Sequence, residues 1–188
     1  DQLEPGNSAH NISWTVRVKG ALNQAALQRA VDDLVVRHET LRTSFPSLAG
    51  KPFQKIVSKV RVPVQLEDMT DASDEKLRAC LARLASCPFE LDNEPLLRIT
   101  LLRIAESEHV LLVLIHHIIS DGASMRVMFR ELAALYEGHV SGQPLTLPEL
   151  SVQYADFAIW QRKWLTGDVL EQQLNYWKTR LAGAPEVL

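Results

Sequence analysis

Cysteine is scarce in this chain. The two that occur, Cys80 and Cys87, fall in a segment that reads as one helix and its end. No CxxC pair and no Cys/His cluster with zinc spacing accompanies them. Nothing therefore points to a disulfide framework, and a reducing, cytoplasmic setting is expected. Long apolar runs are missing as well: none approaches the roughly 18 residues that span a bilayer, and the first residues lack the charged and apolar regions of a signal peptide. Charge of one sign is not in excess either. With 20 basic and 23 acidic residues the formal net charge is -3, and no basic block stands out to match nucleic acid or an anionic membrane. Neither a nucleic-acid nor a membrane partner is expected. No repeat or low-complexity tract interrupts the chain.

What is present is a core. A chain of 188 residues with 46% apolar content can bury one substantial interior, so one compact domain is the default. The chain opens with DQLEPGNSAHNIS and stops at LAGAPEVL without a clear terminal cap, and it reads as a piece of something longer.

The segment NISWTVRVK from Asn11 to Lys19 alternates, with Ile12, Trp14, Val16 and Val18 on one face. That pattern predicts a half-buried strand. Beyond Gly20, residues Leu27, Val31, Leu34, Val35 and His38 recur at helical spacing behind Asn23 as N-cap. A hairpin around Ala49-Gly50 and a short strand through Val62, Val64 and Leu66 come next. A second helix is expected from Ser73 to Ser86 on the apolar positions Leu77, Cys80, Leu81 and Leu84. Further on, LLRITLLRIA and HVLLVLIHH look like an antiparallel hairpin, and the second strand, apolar at almost every position, should be central. Val127, Met128, Glu131, Leu132, Leu135 and Tyr136 trace a further helix, expected to end at Gly138, with Ser124 or Asp121 available as its cap. After the connector SGQPLTLPEL, two amphipathic helices carry Tyr154, Phe157, Trp160, Trp164, Leu174, Trp177 and Leu181. Tyr154 and Trp160 read as core anchors.

The chemistry concentrates at His116-His117. Successive side chains on a strand point to opposite faces, so only one of the two can face a given cavity while the other enters packing. Histidine exchanges protons near neutral pH, and a strand end followed by a tight turn exposes it. His117 is placed like a general base. Asp121, four residues on, can hold an imidazole, cap the following helix or pair with a buried arginine. Gly122 permits close backbone approach or positive φ, and Ser124 stands where its hydroxyl can face the same cleft. A zinc site from His116, His117 and Asp121 is a weaker alternative, because opposed strand faces make joint ligation by the two histidines awkward. A serine hydrolase fares no better, since there is no GxSxG elbow.

These residues resemble a known family. His116-His117-Ile118-Ile119-Ser120-Asp121-Gly122 resembles the HHxxxDG motif of condensation domains in nonribosomal peptide synthetases, a motif shared with related acyltransferases. Arg37-His38-Glu39-Thr40-Leu41-Arg42-Thr43-Ser44-Phe45 resembles the family's RHExLRTxF, and Tyr154-Ala155-Asp156-Phe157-Ala158-Ile159-Trp160 its YxDYAxW. The tail QRKWLTGDVLEQQLNYWKTRLAGAP is similar to the segment that comes next in the family. The family's first motif, SxAQxR, and the motifs of its C-terminal half are absent.

The resemblance implies an α/β (α+β) chloramphenicol-acetyltransferase-like half-domain, a mixed, mostly antiparallel sheet flanked by helices. Residues 1–188 would be the N-terminal, histidine-bearing part of an amide-forming acyltransferase, inactive without the other half. It implies that His117 is catalytic, as base or as positioner, with His116, Asp121, Gly122 and Ser124 supporting it. Asp121 would form a structural ion pair with Arg37 or, less favourably, Arg42. The substrates would be thioesters on the 4'-phosphopantetheine arms of donor and acceptor peptidyl carrier proteins, with an adenylation domain as neighbour. The chain itself would bind no cofactor and no metal, in keeping with the lack of a phosphate-cradling glycine loop. An epimerization or ester-forming relative and a non-catalytic carrier-protein docking module are the rival readings.

Overall fold

The computed structural model describes residues 6–93, 95–143 and 147–185, arranged as two units, Asp1–Leu150 and Ser151–Leu188. Residues 144–146 of the expected connector lie outside the described residues, as do residues 1–5, 94 and 186–188.

The first unit is built on a four-stranded sheet of order β1-β8-β7-β6. Its strands are β1 (Asn11–Lys19), β6 (Val64–Asp68), β7 (Leu97–Ala105) and β8 (Glu108–His116). β8 is antiparallel to both neighbours, whereas β6 runs parallel to β7. A parallel neighbour needs a crossover, and helix α2 (Asp74–Ala85) supplies it between β6 and β7. Three small pieces of chain intervene earlier: a 3-10 turn (Glu39–Arg42), the pair β2 (Thr43–Ser44) with β5 (Lys55–Ile56), and the hairpin β3 (Ser47–Leu48) with β4 (Lys51–Pro52).

Two helices cover one face of the sheet, α1 (Gln24–Arg37) and α3 (Gly122–Ser141). From α1 come Leu27, Val31, Leu34 and Val35, from α3 Met125, Met128, Leu132 and Leu135, packed with Leu97, Ile99 and Leu101 of β7 and Leu111, Val113 and Ile115 of β8. Leu77 of α2 meets Leu102, Val110 and Leu112, the residues of opposite parity. The period of two along β8 thus feeds two cores, one on each side. That is why the strand is apolar nearly throughout, and each fully buried leucine or isoleucine contributes about 1.5–3 kcal/mol by leaving water.

Local signals set the element starts. Asn23 accepts from the Ala26 amide at 3.0 Å and Ser73 from the Lys76 amide at 3.3 Å, capping α1 and α2. The β3–β4 hairpin turns at Ala49 and Gly50, with φ of 51° and 75°, the left-handed pair that a two-residue hairpin loop requires.

Two expectations are corrected. Helix α3 does not end at Gly138 but continues one turn, through His139, whose Nε2 lies 2.7 Å from Asp33 of α1, to a left-handed Gly142 with φ 68°. On β1 the phase is as read, with Ile12 and Val18 packed on the core. Trp14 and Val16, however, stay 41% and 37% exposed, because β1 is the sheet's edge, where Trp14 has the ring of Phe129 of α3 at 6.0 Å.

The second unit holds α4 (Tyr154–Trp164) and α5 (Gly167–Arg180). Asp156 accepts from the Gln153 amide at 2.9 Å and starts α4. Tyr154, Phe157, Trp160 and Trp164 succeed one another along one face, each ring 5.4–5.8 Å from the next. The core-anchor reading of Tyr154 and Trp160 is corrected: both are exposed, and no described residue of α4 or α5 is buried. Their helical spacing aligns the rings, but spacing cannot say what covers them.

Because Ala49 carries a left-handed conformation that costs an L-residue about 1–2 kcal/mol, Ala49→Asn should stabilise the first unit by about 1 kcal/mol by matching the Asn-Gly turn preference. Urea unfolding of the two chains, monitored by far-UV circular dichroism, checks the shift.

Candidate functional site

The site is the exit of β8. Asn11 pairs with His116 in the β1–β8 register, and the next cross-strand contact carries the His117 amide to the His10 carbonyl at 2.8 Å. Past that point the chain turns sharply. The Ile118 amide donates to His116 Nδ1 at 3.1 Å and the Ile119 amide to the His116 carbonyl at 3.1 Å. Ile119 and Ser120 then return to the interior.

The two histidines part company here. His116 is 6% exposed, set between the rings of His10 and Phe89 at 5.9 and 6.2 Å. Burial holds its pKa below the usual imidazole value, with the nearby charges of His10 and His117 acting in the same direction. Neutral His116 accepts at Nδ1, so its proton sits on Nε2. His117 is exposed at the surface.

Asp121 begins α3. Its Oδ1 accepts from the Ser124 amide at 2.8 Å and from the Ser124 hydroxyl at 2.7 Å. Those bonds, the Ala123 amide and the charge of His117 keep the carboxyl below its usual range, so it is an anion throughout the neutral region. Of its three possible roles Asp121 takes the cap. Ser124 spends its hydroxyl on that cap. Gly122 is the first helical residue, its φ is not positive, and a Cβ built on it would meet open space.

The expected ion pair between Asp121 and Arg37 or Arg42 is corrected. Arg37 Nε donates to Glu131 Oε2 at 3.0 Å, and His38 Nε2 lies 2.6 Å from the same oxygen. Arg42 donates to the Val57 carbonyl at 2.7 Å and to Glu39 at 3.3 Å. The physical reason is distance: Glu131 lies ten residues along α3 from Asp121, about 15 Å at the helical rise. The RHExLRTxF segment therefore grips the middle of α3, not its start. Burial pushes the Glu131 carboxyl up, but hydrogen bonds from His38 and Arg37 outweigh it and leave the pKa below the usual value.

Sequence reasoning placed Glu131 on the apolar stripe of α3 without assigning it a task. A carboxylate on such a stripe is itself the signal, since acids are almost never buried unpaired. His10 was missed; only the strand register brings it beside His117. Among the described residues no group of three His, Cys, Asp or Glu side chains is placed to hold a metal ion, and no helix is long and apolar enough to cross a membrane.

The arrangement offers one exposed imidazole beside a fixed carboxylate, its backbone pinned and its neighbour kept neutral. An exposed imidazole of this kind is a candidate for general acid–base work.

Comparison with known proteins bears on whose arrangement this is. The profile of the condensation-domain family matches residues 1–188. One of the linear gramicidin synthase proteins of Brevibacillus parabrevis is 43% identical over 192 residues, which is 100% of this chain and 2% of that protein. The phosphinothricin tripeptide synthetase PhsC of Streptomyces viridochromogenes is 38% identical, over 100% of this chain and 18% of its own length. Among solved structures, the X-domain from teicoplanin biosynthesis superposes with a TM-score of 0.86 at 34% identity, covering 96% of this chain and 40% of that one. The starter condensation domain of rhizomide synthetase RzmA superposes at 0.87 with 20% identity, over 98% and 45%, and so speaks for the fold alone. The chain spans a small fraction of the curated relatives and less than half of these solved chains.

Removing the Glu131 charge leaves Arg37 and His38 facing a neutral amide in a site where the Glu131 side chain is 8% exposed. Glu131→Gln should therefore cost about 3–5 kcal/mol in urea unfolding at neutral pH, and Asp121→Ala, which removes an exposed cap, clearly less. The Glu131 pKa lies below its ordinary 4.5 in the fold, so its contribution is complete above that value and is lost as pH falls through the lower folded one. Unfolding curves from about pH 5 to about pH 3 should accordingly fall more steeply for the wild type than for Glu131→Gln.

Proposed function

We propose, from the premise that the chain belongs to the condensation-domain family of nonribosomal peptide synthetases, that it is the histidine-bearing N-terminal part of a domain forming an amide. The amide joins a donor acyl or peptidyl thioester to an acceptor aminoacyl thioester. The observation that carries the reading is the exposed imidazole of His117 at the end of β8, beside the ionised Asp121, with His116 buried behind it. In the reaction the acceptor nitrogen attacks the donor carbonyl, the carbon–nitrogen bond forms and the carbon–sulfur bond breaks. The ammonium proton passes to His117 and then to the departing thiolate. An α-amino group titrates near pH 8 in model compounds, so a useful fraction is already free amine. His117 then acts as much by orienting that amine as by drawing its proton, and positioning alone can supply several kcal/mol of the barrier.

Both thioesters belong on the 4'-phosphopantetheine arms of donor and acceptor peptidyl carrier proteins. No cofactor of the chain's own is needed. The opposite wall of the active site belongs to the C-terminal half of the same domain, and an adenylation domain of the synthetase is the further neighbour.

A second reading, a docking module without chemistry, draws support from a neighbour at 34% identity and TM-score 0.84 that was solved as a complex of the X-domain with OxyB. Retention of the whole HHxxxDG sequence favours the catalytic reading. An epimerization or ester-forming variant would use the same histidine and differ in product.

In the complete domain, His117→Ala should lower amide formation about 10²- to 10⁴-fold with an unchanged unfolding midpoint. Mass spectrometry of products from loaded carrier proteins reads the outcome, and wild-type turnover by that variant would sink the catalytic assignment. The 188-residue chain alone should yield no amide product in the same assay.

A further inference from the structure

Three successive amides after β8 are held by two histidines. His117 N–H donates to the His10 carbonyl, Ile118 N–H to His116 Nδ1, and Ile119 N–H to the His116 carbonyl, at 2.8, 3.1 and 3.1 Å. The turn that presents His117 is therefore as well ordered as the His116 ring, because that ring supplies the middle acceptor. The ring in turn is held by two aromatic neighbours. Phe89 meets it edge-on at 89° and is itself covered by the Arg98 guanidinium at 4.2 Å. His10, in the turn just before β1, meets it at 55°. His10 is exposed, so its side chain does little for the core. Its visible task is to close His116 in.

We propose that His10 is a positioning residue for the reaction assigned to His117: its ring immobilises the His116 imidazole, whose Nδ1 fixes the Ile118 amide and with it the direction of His117. The inference rests on that reading of His117 and adds a residue the HHxxxDG motif does not contain. It places the requirement on an aromatic ring at position 10 and not on a titrating group there. Alanine keeps the carbonyl that binds His117 and removes only the ring. Phenylalanine restores a ring of similar reach without the ring nitrogens.

The experiment uses the complete domain with loaded donor and acceptor carrier proteins, comparing wild type, His10→Ala, His10→Phe and His117→Ala. His10→Ala should lower kcat about tenfold to a hundredfold with KM for the acceptor carrier protein and the unfolding midpoint unchanged, and His10→Phe should recover most of that loss. Amide hydrogen exchange should be about tenfold faster at Ile118 in the alanine variant and close to wild type in the phenylalanine one. Wild-type kcat in His10→Ala, beside an inactive His117→Ala, overturns the positioning role and leaves the function reading standing. Equal losses in the alanine and phenylalanine variants also overturn it, since imidazole chemistry would then be required. Full turnover by His117→Ala removes the function reading and the proposal with it.

Discussion

A strand buried on both faces has no freedom at its end. β8 feeds one core through Leu111, Val113 and Ile115 and a second through Val110 and Leu112, and its register is locked on both sides by antiparallel partners. A slip of one residue would exchange the two sets and place His116 where His117 stands. The division of labour between the histidines thus arises from apolar burial several residues upstream. His116 continues the buried alternation and loses its charge; His117 is the first residue beyond it, free to meet solvent.

The chain leaving β8 must start a helix within a few residues, and the position of that helix is set elsewhere. Asp121 caps α3 locally, but a cap orients only the first turn. The axis is fixed by α1, through apolar packing and through two ionic ties, Arg37 and His38 to Glu131 and Asp33 to His139. Of these the Glu131 cluster carries the constraint. A buried carboxylate held by the Arg37 guanidinium and the His38 ring tolerates neither separation of the helices nor rotation of α3, because either takes its hydrogen-bond partners from a charge that is away from water. The Asp33–His139 tie lies at the surface, where water screens it.

Much of this was legible in sequence because the deciding signals were local. Asn23 announced its helix, Ala49-Gly50 its hairpin, and the unbroken apolar run its central strand. The separation of His116 from His117 needed only the two-residue period. The illegible features depended on neighbours distant along the chain. Nothing in RHExLRTxF says whether its arginine reaches Asp121 or Glu131, since both are acids on one helix and only the packing of α1 against α3 selects between them. The end of α3 was misplaced because Gly138 looks like a stop, whereas the left-handed conformation falls at Gly142. Trp14 and Val16 alternate like core residues, yet sheet order leaves them at an edge. The row from Tyr154 to Trp164 is periodic in the same way, and periodicity states which face is apolar without stating what meets it.

The Glu131 cluster also changes what the RHExLRTxF segment means physically. Had Arg37 bound Asp121, the segment would have tuned the charge beside His117 directly. Bound to Glu131 about 15 Å away along the helix, it acts on geometry instead. Asp121 keeps its full negative charge from the Ser124 and Ala123 groups and from its place at a helix N-terminus, where the dipole favours an anion. That charge stands near His117. Two donors from Ser124 engage Oδ1. The RHExLRTxF segment thus acts on the placement of α3, through a cluster that never touches His117.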